Sequence, residues 1–333
     1  MTDRHISRRK FLSKLGTGFI GTLIGGVGAG SVINHWNTSQ NNSPMVPLEG
    51  LQVAPATLTT ASGIKIHHIQ TGWVAVKRSH RAYDGIDGMG ILAIATDKFW
   101  TEWLPITAWA IENPEGVIVI DTGETARVYQ PDYYQAGDAV FYGSFLRFAV
   151  TPEDEIGAQL TTLGIPPDEV RWVVQTHLHG DHMGGMHAFP NAEFIISAQD
   201  YPMSVGALPY HYPDWLNPTF TTFTGEPLAG FDGSYALTDA GDVLIVSTAG
   251  HSNGHQSVIL RDGDLSFFFA GDATFDEQQL QDVITAGIVA NPTESRTTTQ
   301  RIQDYVRSTD TIYLPSHDHN TRSRLLNQTI TTL

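Results

Sequence analysis

Residues 176–182 read Thr-His-Leu-His-Gly-Asp-His and come directly after the apolar run Val170–Val174. The apolar run predicts a buried strand, so this stretch forms a short loop at the end of that strand. Alternating histidines in the loop can direct their rings at one metal ion, and the following Asp-His pair can serve a second. Imidazole and carboxylate together suit Zn²⁺ and similar divalent ions. The four candidate ligands are His177, His179, Asp181 and His182.

The composition excludes several classes of protein. The chain has 333 residues, enough for one large or two smaller domains, and 41% hydrophobic residues supply a core. A formal net charge of −16 argues against nucleic acid as a partner, because phosphate binding needs a basic surface. There is no cysteine, so disulfides are excluded and a metal must be held by His, Asp and Glu.

The first residues indicate export. The stretch Ser7–Leu12, Ser-Arg-Arg-Lys-Phe-Leu, resembles a twin-arginine signal, and an apolar, glycine-rich segment follows at 15–33. We expect residues 1–35 to engage the twin-arginine machinery and to place the protein in the periplasm or another extracytoplasmic location. Left uncleaved, this segment would be a membrane anchor. Residues 36–55, rich in Asn, Ser and Pro, are predicted to be a linker, and 56–333 a folded domain.

In the predicted domain, strands alternate with helices, which indicates an α/β protein. One helix is predicted to start with Thr151 as N-cap and to stop at Gly164, and another to follow the strand 193–197. Asn291 is predicted to cap a third helix, and 322–329 to form a closing one. The predicted strands are 64–70, 106–112, 117–120, 170–175, 193–197, 242–248, 256–261, 265–270 and 311–314.

Further metal-ligand candidates follow other predicted strands. Asp121, His251, Asp272 and His317 each come just after an apolar run. Strand ends at one edge of a sheet are where an open α/β fold builds its site. Each residue alone has an ordinary interpretation as a turn former or cap. Together they supply the ligands that a two-ion centre still lacks.

In this order the candidates resemble the metallo-β-lactamase superfamily, over roughly residues 64–320. The resemblance implies an αββα sandwich, with two central sheets, helices on both outer faces and the site at one edge. It also implies two groups of ligands, each of which holds one ion, and it implies that Asp272 bridges the two ions. The first group is His177, His179 and His251, and the second is Asp181, His182 and His317. Asp121 and His255 would support the ligand segments from behind, and His319 is a less favoured substitute for His317.

The resemblance further implies a hydrolase with two divalent ions, taken to be Zn²⁺. Two ions about 3.5–4 Å apart can share a bridging hydroxide that attacks a carbonyl or phosphoryl centre. Asp181 is the candidate catalytic residue, because its carboxylate can help to manage the proton. No serine nucleophile is needed, so Ser252 and Ser316 receive no catalytic role.

Within the superfamily the chain is most similar to the N-acyl homoserine lactonase group. The patterns that carry this resemblance are Gly116–Gly123, Gln159–Pro190 and Pro315–Asp318. The implied substrate is a small apolar lactone or a related ester. One position departs from the group, whose members carry a tyrosine three residues after the bridging aspartate. Here that residue is Phe275, which has no hydroxyl to contact a lactone carbonyl.

Aromatic residues are the candidates for the substrate wall. Phe141 and Phe145, with Phe275, are the predicted pocket residues, although aromatic residues at helical spacing are more often core. Two aromatic clusters contain these and other candidates: Phe99, Trp100, Trp103 and Trp109 in the first, and Phe141, Tyr142, Phe145 and Phe148 in the second. The tyrosines that could replace the missing hydroxyl are Tyr201, Tyr210 and Tyr212.

Three alternatives to a lactonase stay open. The first is a phosphotriester or aryl-ester hydrolase of the same fold. The second is a glyoxalase II-like thioester hydrolase, which the scarcity of basic residues for holding glutathione disfavours. The third is a non-catalytic metal-binding domain, against which the presence of all seven candidate ligands argues.

Overall fold

A computed structural model describes residues 52–333, and its strands form two sheets. The first sheet has the order β1-β2-β3-β4-β6-β7-β8. The remaining strand, β5, pairs with the part of β2 that extends beyond β1. Its pairs are antiparallel from β1 to β4 and parallel from β4 to β8. The strands are β1 Ala56–Thr59, β2 Lys65–Val76, β3 Leu104–Asn113, β4 Gly116–Ile120, β5 Leu146–Ala149, β6 Val170–Val174, β7 Glu193–Ile196 and β8 Thr219–Phe220.

The second sheet has the order β13-β12-β11-β10-β9. Only the β12–β13 pair is parallel within it, and a long helix connects these two strands. The strands are β9 Tyr235–Ala236, β10 Val243–Ser247, β11 Gln256–Asp262, β12 Leu265–Gly271 and β13 Asp310–Pro315.

Helices cover the outer faces and the site edge. Asn291 caps the longest, accepting a hydrogen bond from the Glu294 amide, as its sequence predicts. In the described part of the chain no helix is both long and apolar enough to cross a membrane. The helices are α1 Arg78–Arg81, α2 Gly90–Thr96, α3 Ala136–Phe145, α4 Ile156–Thr162, α5 Gly180–Met183, α6 Glu277–Asp282, α7 Pro292–Ser308 and α8 Thr321–Leu326.

The core forms because side chains alternate between the two faces of each strand. In β12, Phe267 and Phe269 point inward and pack against Trp109 of the first sheet. Phe268 between them points outward and packs under α7, against Tyr305. On the other side of the molecule, Ile156 and Leu160 of α4 cover the outer face of the first sheet. The layers are therefore helix, sheet, sheet, helix, and the predicted αββα sandwich is confirmed.

Two predicted helices differ from the structure. The helix expected from Thr151 begins at Ile156, because the Asp154 carboxylate accepts hydrogen bonds from the Thr151 amide and hydroxyl and holds the intervening residues in a turn. The predicted stop is correct, since Gly164 follows the helix with φ +76°. No long helix follows β7 in the described chain. That stretch contains Pro202, Pro209 and Pro213, which lack the amide that a helix needs, and only a short 3₁₀ turn forms at Pro209–His211.

Candidate metal centre

The loop after β6 brings its candidate ligands to the edge of the first sheet. The amide of Gln256 donates to the Thr176 carbonyl at 2.9 Å, which attaches this loop to the second sheet. The segments after β10, β12 and β13 reach the same edge. All seven predicted ligands come together there in three overlapping groups, and the ligand atoms within each group lie within 4.8 Å of one another. The groups are His177, His179 and His251; His177, His182 and Asp272; and Asp181, His182 and His317.

The first predicted ligand group consists of imidazole rings only. His251 Nε2 lies 3.0 Å from His179 Nδ1, and the ring centroids of His177 and His179 are 4.4 Å apart. Burial lowers the pKa values of His177 and His251 well below the usual histidine value. A low pKa keeps these rings neutral, and neutral imidazole is the form that binds a metal ion.

The second group contains a carboxylate. His317 Nε2 lies 3.6 Å from Asp181 Oδ2, and the rings of His182 and His317 are 5.6 Å apart. Asp181 is the more exposed of these residues, with 15% of its side chain accessible against 2% for His317. Solvent therefore contacts this ligand group at Asp181.

Asp272 faces both groups at once. Its Oδ1 lies 3.3 Å from His182 Nε2 and 3.3 Å from His317 Nε2, while its Oδ2 lies 3.5 Å from His251 Nε2. Burial acts to raise the pKa of this carboxyl, but the imidazoles of His317 and His182 outweigh burial and hold the pKa well below its usual value. The carboxylate is therefore ionised and has one oxygen for each group.

Four of the histidines are oriented by hydrogen bonds on the side away from the cluster. In each ring, one nitrogen donates its proton to an oxygen outside the cluster, which turns the other nitrogen towards the cluster. His177 Nε2 and His182 Nε2 are buried and have no hydrogen-bond partner among the described residues, as expected for atoms that would hold a cation. The acceptors are Thr176 Oγ1 for His177 (3.1 Å), the Val205 carbonyl for His179 (2.9 Å), Asp121 Oδ2 for His182 (2.8 Å) and the Pro105 carbonyl for His317 (2.7 Å).

Asp121 lies behind the ligand loop, where the resemblance to the superfamily implies a supporting residue. Its carboxylate accepts hydrogen bonds from the Thr176 amide at 2.7 Å, the Thr176 hydroxyl at 2.8 Å and His182 Nδ1 at 2.8 Å. The backbone of Asp121 has φ +57°, a conformation that aspartate tolerates better than most residues. These bonds hold the loop and one ligand ring together.

His255 is also buried beside the cluster, and its hydrogen bonds join the bridging residue to the segment that leads to His251. Its Nε2 accepts from the Asp272 amide at 3.0 Å, and its Nδ1 donates to Thr248 Oγ1 at 2.8 Å. The Thr248 amide also donates to the His255 carbonyl at 2.9 Å, so these contacts support the expectation that His255 orients the His251 segment, which stays a prediction. His319 is exposed and lies near Trp73, outside the three groups.

Two supporting carboxyl groups were not predicted. Asp200 accepts hydrogen bonds from the Ser252 hydroxyl at 2.6 Å and the Gly254 amide at 2.7 Å, which fixes the turn after His251. Glu124 is fully buried, and burial raises its pKa to about 8. An acidic residue on a turn is the only signal that the sequence offers for either, and such residues are usually solvated.

The three predicted pocket residues differ in burial. Phe275 is buried, and its ring centroid lies 4.8 Å from that of His317. Phe141 and Phe145 of α3 are half-buried and pack on the same apolar cluster as Phe275. Of the first aromatic cluster, Trp109 lies in the core between the sheets while Phe99 is 63% exposed, so that cluster forms no common wall.

The candidate replacement tyrosines make other contacts. Tyr210 donates its hydroxyl to Asp138 at 2.8 Å, and the rings of Tyr201 and Tyr212 stack on each other. None of these contacts places a hydroxyl beside Phe275.

Known proteins are similar to this chain in sequence. An N-acyl homoserine lactonase of Bacillus thuringiensis is 26% identical over 221 residues, which span 65% of this chain and 82% of that protein. The N-acyl homoserine lactonase AttM of Azorhizobium caulinodans is 28% identical over 229 residues, with the same coverage.

Solved structures show the same fold. The crystal structure of a B. thuringiensis AiiA variant with N-decanoyl-L-homoserine bound at its active site has a TM-score of 0.62 at 20% identity, covering 81% of this chain and 96% of that one. AidC, a dizinc quorum-quenching lactonase in complex with its product, has a TM-score of 0.53 at 14% identity, covering 79% and 90%.

The family model of the metallo-beta-lactamase superfamily matches residues 101–317, a span that includes all seven candidate ligands. With the layered sheets and the clustered histidines and aspartates, this match shows that the chain belongs to the metallo-beta-lactamase superfamily.

Proposed function

We propose that the protein is a hydrolase with two divalent metal ions, Zn²⁺ in its native form, and that it opens lactones of the N-acyl homoserine class. The observation that carries the proposal is the position of Asp272, whose two carboxylate oxygens face two separate ligand groups. The relatives that are N-acyl homoserine lactonases supply the substrate class.

Each ligand has a role that fits its surroundings. His177, His179 and His251 would hold one ion, and Asp181, His182 and His317 the other, with Asp272 shared. Two bound divalent ions would lower the pKa of a shared water and polarise the lactone carbonyl.

We assign to Asp181 the transfer of the proton during ring opening. Its Oδ2 faces His317 Nε2 at 3.6 Å, and part of its side chain stays accessible. A carboxylate at this position can accept a proton from water and deliver it to the alkoxide that leaves when the ring opens.

We assign the acyl chain of the substrate to the apolar surface beside α3. Phe141 and Phe145 are half-buried on the cluster that contains Phe275, which supports this assignment.

The test is a substrate panel with metal-loaded protein: acyl lactones of several chain lengths, aryl esters, phosphotriesters and S-lactoylglutathione. We expect lactone turnover to exceed the others, to be lost with a chelator and to return with Zn²⁺. His179→Ala should abolish turnover and reduce metal content, whereas the matched control His187→Ala, at an exposed histidine outside the cluster, should not. Strong phosphotriester turnover without lactone turnover would refute the substrate assignment.

We further infer that the protein is exported through the twin-arginine pathway. The Ser-Arg-Arg-Lys-Phe-Leu stretch at 7–12 supports this, although residues 1–51 lie outside the described part of the chain. Replacing Arg8 and Arg9 by lysine should retain the protein in the cytoplasmic fraction. An unchanged distribution between the fractions would contradict export by this route.

A further inference from the structure

Phe275 supplies no hydrogen-bond donor next to the candidate metal ligands. Its ring lies 4.8 Å from the His317 ring and 6.3 Å from the His251 ring, centroid to centroid. A substrate bound at these histidines would lie near the phenyl ring, which has no hydroxyl to offer. The donor for the substrate carbonyl must come from another residue near position 275.

The nearby tyrosines already use their hydroxyl protons. Tyr142 and Tyr210 pack on the same apolar cluster as Phe275. The Tyr142 hydroxyl donates to the Gly206 carbonyl at 3.1 Å, and the Tyr210 hydroxyl donates to Asp138. Neither is placed to contact a substrate without breaking a bond inside the protein.

His80 of α1 has the required properties. It is only 8% exposed, and its ring centroid lies 6.3 Å from that of Phe275. Its Nδ1 is buried with no hydrogen-bond partner in residues 52–333. A buried histidine normally satisfies both ring nitrogens, so the unpaired nitrogen of His80 is open to a hydrogen bond with a water molecule or a bound ligand.

His80 is neutral, and it lies near the candidate metal ligands. Burial lowers its pKa to about 4, and the charges of His179, Asp181, Asp272 and His317 also act on it. Four candidate metal ligands therefore lie within electrostatic range of this ring. A neutral imidazole has one N–H to donate.

Close backbone packing fixes the turn that carries His80. The Gly287 amide donates to the His80 carbonyl at 2.8 Å. A Cβ on Gly287 would lie 2.0 Å from the Ser79 carbonyl oxygen, and a Cβ on Gly90 would lie 1.9 Å from the Gly287 carbonyl oxygen. Both positions need glycine because the two backbones approach so closely.

Polar bonds attach the same turn to the segment after Phe275. Arg81 forms an ion pair with Asp276 at 2.5 Å, and Gln279 Nε2 donates to the Arg81 carbonyl at 2.7 Å. The turn and the Phe275 segment therefore form one unit, which holds the His80 ring in place before substrate arrives.

We propose that His80 is a substrate-binding residue that donates to the lactone carbonyl the hydrogen bond which Phe275 cannot make. The proposal rests on the lactone-opening function proposed above. It adds a residue from a different part of the chain, 195 positions before Phe275, to the recognition of substrate.

The test uses the full-length, zinc-loaded protein and the variants His80→Phe, His80→Gln and His80→Phe/Phe275→Tyr. We expect His80→Phe to lower kcat/KM for acyl lactones by about 100- to 1,000-fold, the range for losing one donor to a developing oxyanion. His80→Gln, which keeps an N–H, should lose less. The double variant should recover most of the activity, because a hydroxyl at position 275 would restore the donor.

Two further measurements distinguish a substrate contact from a structural role. Zinc content and melting temperature should be unchanged in the active variants. The affinity for an N-acyl homoserine product, measured by calorimetry, should fall in His80→Phe and recover in the double variant. Wild-type protein without lactone turnover would refute the proposed function itself. Active wild type with full activity in His80→Phe, or loss in this variant without rescue by Phe275→Tyr, would refute the role of His80 alone.

Discussion

The Asp121 carboxylate accepts a hydrogen bond from His182 Nδ1 at 2.8 Å, and both groups are buried. The same carboxylate binds the amide and hydroxyl of Thr176 at the start of the ligand loop. One side chain at the end of β4 thus sets both the path of the loop and the orientation of a ligand ring. Asp121 acts on the metal centre without belonging to any of the three ligand groups.

Asp121→Asn is therefore expected to weaken metal binding by about 10- to 100-fold, the usual cost of losing a carboxylate behind a metal-binding histidine. The amide keeps one oxygen acceptor but presents an NH₂ group to a donor. Competition with a chromogenic chelator measures the affinity. Asp282→Asn, at an exposed aspartate, is the control and should bind zinc like the wild type. Equal affinities in the two variants would show that Asp121 does not support the centre.

Gly206 lies against a candidate ligand. Its φ is +80°, and an added Cβ would lie 2.6 Å from both Cδ2 and Nε2 of His179. Gly206→Ala should therefore displace His179, break its bond to the Val205 carbonyl and reduce the zinc content towards one ion per chain.

Gly88 provides a matched control for this substitution. It has nearly the same φ, +82°, but a Cβ there would meet no atom within 4 Å in the described residues. Gly88→Ala carries the same backbone strain, which is worth about 1 kcal/mol or more, without the clash. Metal analysis by mass spectrometry compares the two. Loss of zinc in both, or in neither, would contradict the role assigned to Gly206.

The ligand loop and most strands were predictable because their signals are local. Strand β12 shows this, since Phe267, Phe268 and Phe269 are consecutive and differ only in the face of the strand that they occupy. The start of α4 was not predictable in the same way, because hydrogen bonds between Thr151 and Asp154 close a separate turn before the helix begins.

The supporting residues required the folded structure. Asp200 contacts Ser252 across 52 residues, and His80 contacts Phe275 across 195. No spacing rule links such positions, since their approach depends on how the loops after different strands meet. The missing tyrosine at position 275 was visible in the sequence, but the residue that takes its place was not.

Asp200 is expected to hold the turn that follows His251. Asp200→Ala leaves the Ser252 hydroxyl and the Gly254 amide buried without their acceptor, at a cost of about 1–3 kcal/mol for each. The melting temperature should fall, and zinc should be lost to a chelator faster than from the wild type.

Ser252→Ala tests the same contact from the other side. It removes one of the two bonds and leaves the amide bond intact, so its effects should have the same direction and be smaller. A larger loss of zinc in Ser252→Ala than in Asp200→Ala would show that the carboxylate is not what positions the turn.

His68 predicts a pH dependence of stability that is separate from the metal centre. It is buried on β2 with its ring 5.2 Å from that of Trp109, and burial, with a contribution from Arg322, lowers its pKa to about 3. In the unfolded chain the pKa of histidine is about 6.5. Between these values the unfolded chain binds a proton that the folded chain does not, so the folded state loses stability as pH falls through this window, by up to about 1.4 kcal/mol per pH unit.

His68→Leu should remove this contribution. The variant and the wild type should differ little in free energy of unfolding at pH 7.5, and the variant should gain relative stability at pH 5. Urea denaturation in the same zinc buffer measures both, and acid effects on the metal centre cancel in the difference. His187→Gln, at an exposed histidine, should follow the wild type. An unchanged slope in His68→Leu would mean that His68 takes up its proton in the folded protein, against the low pKa that its burial imposes.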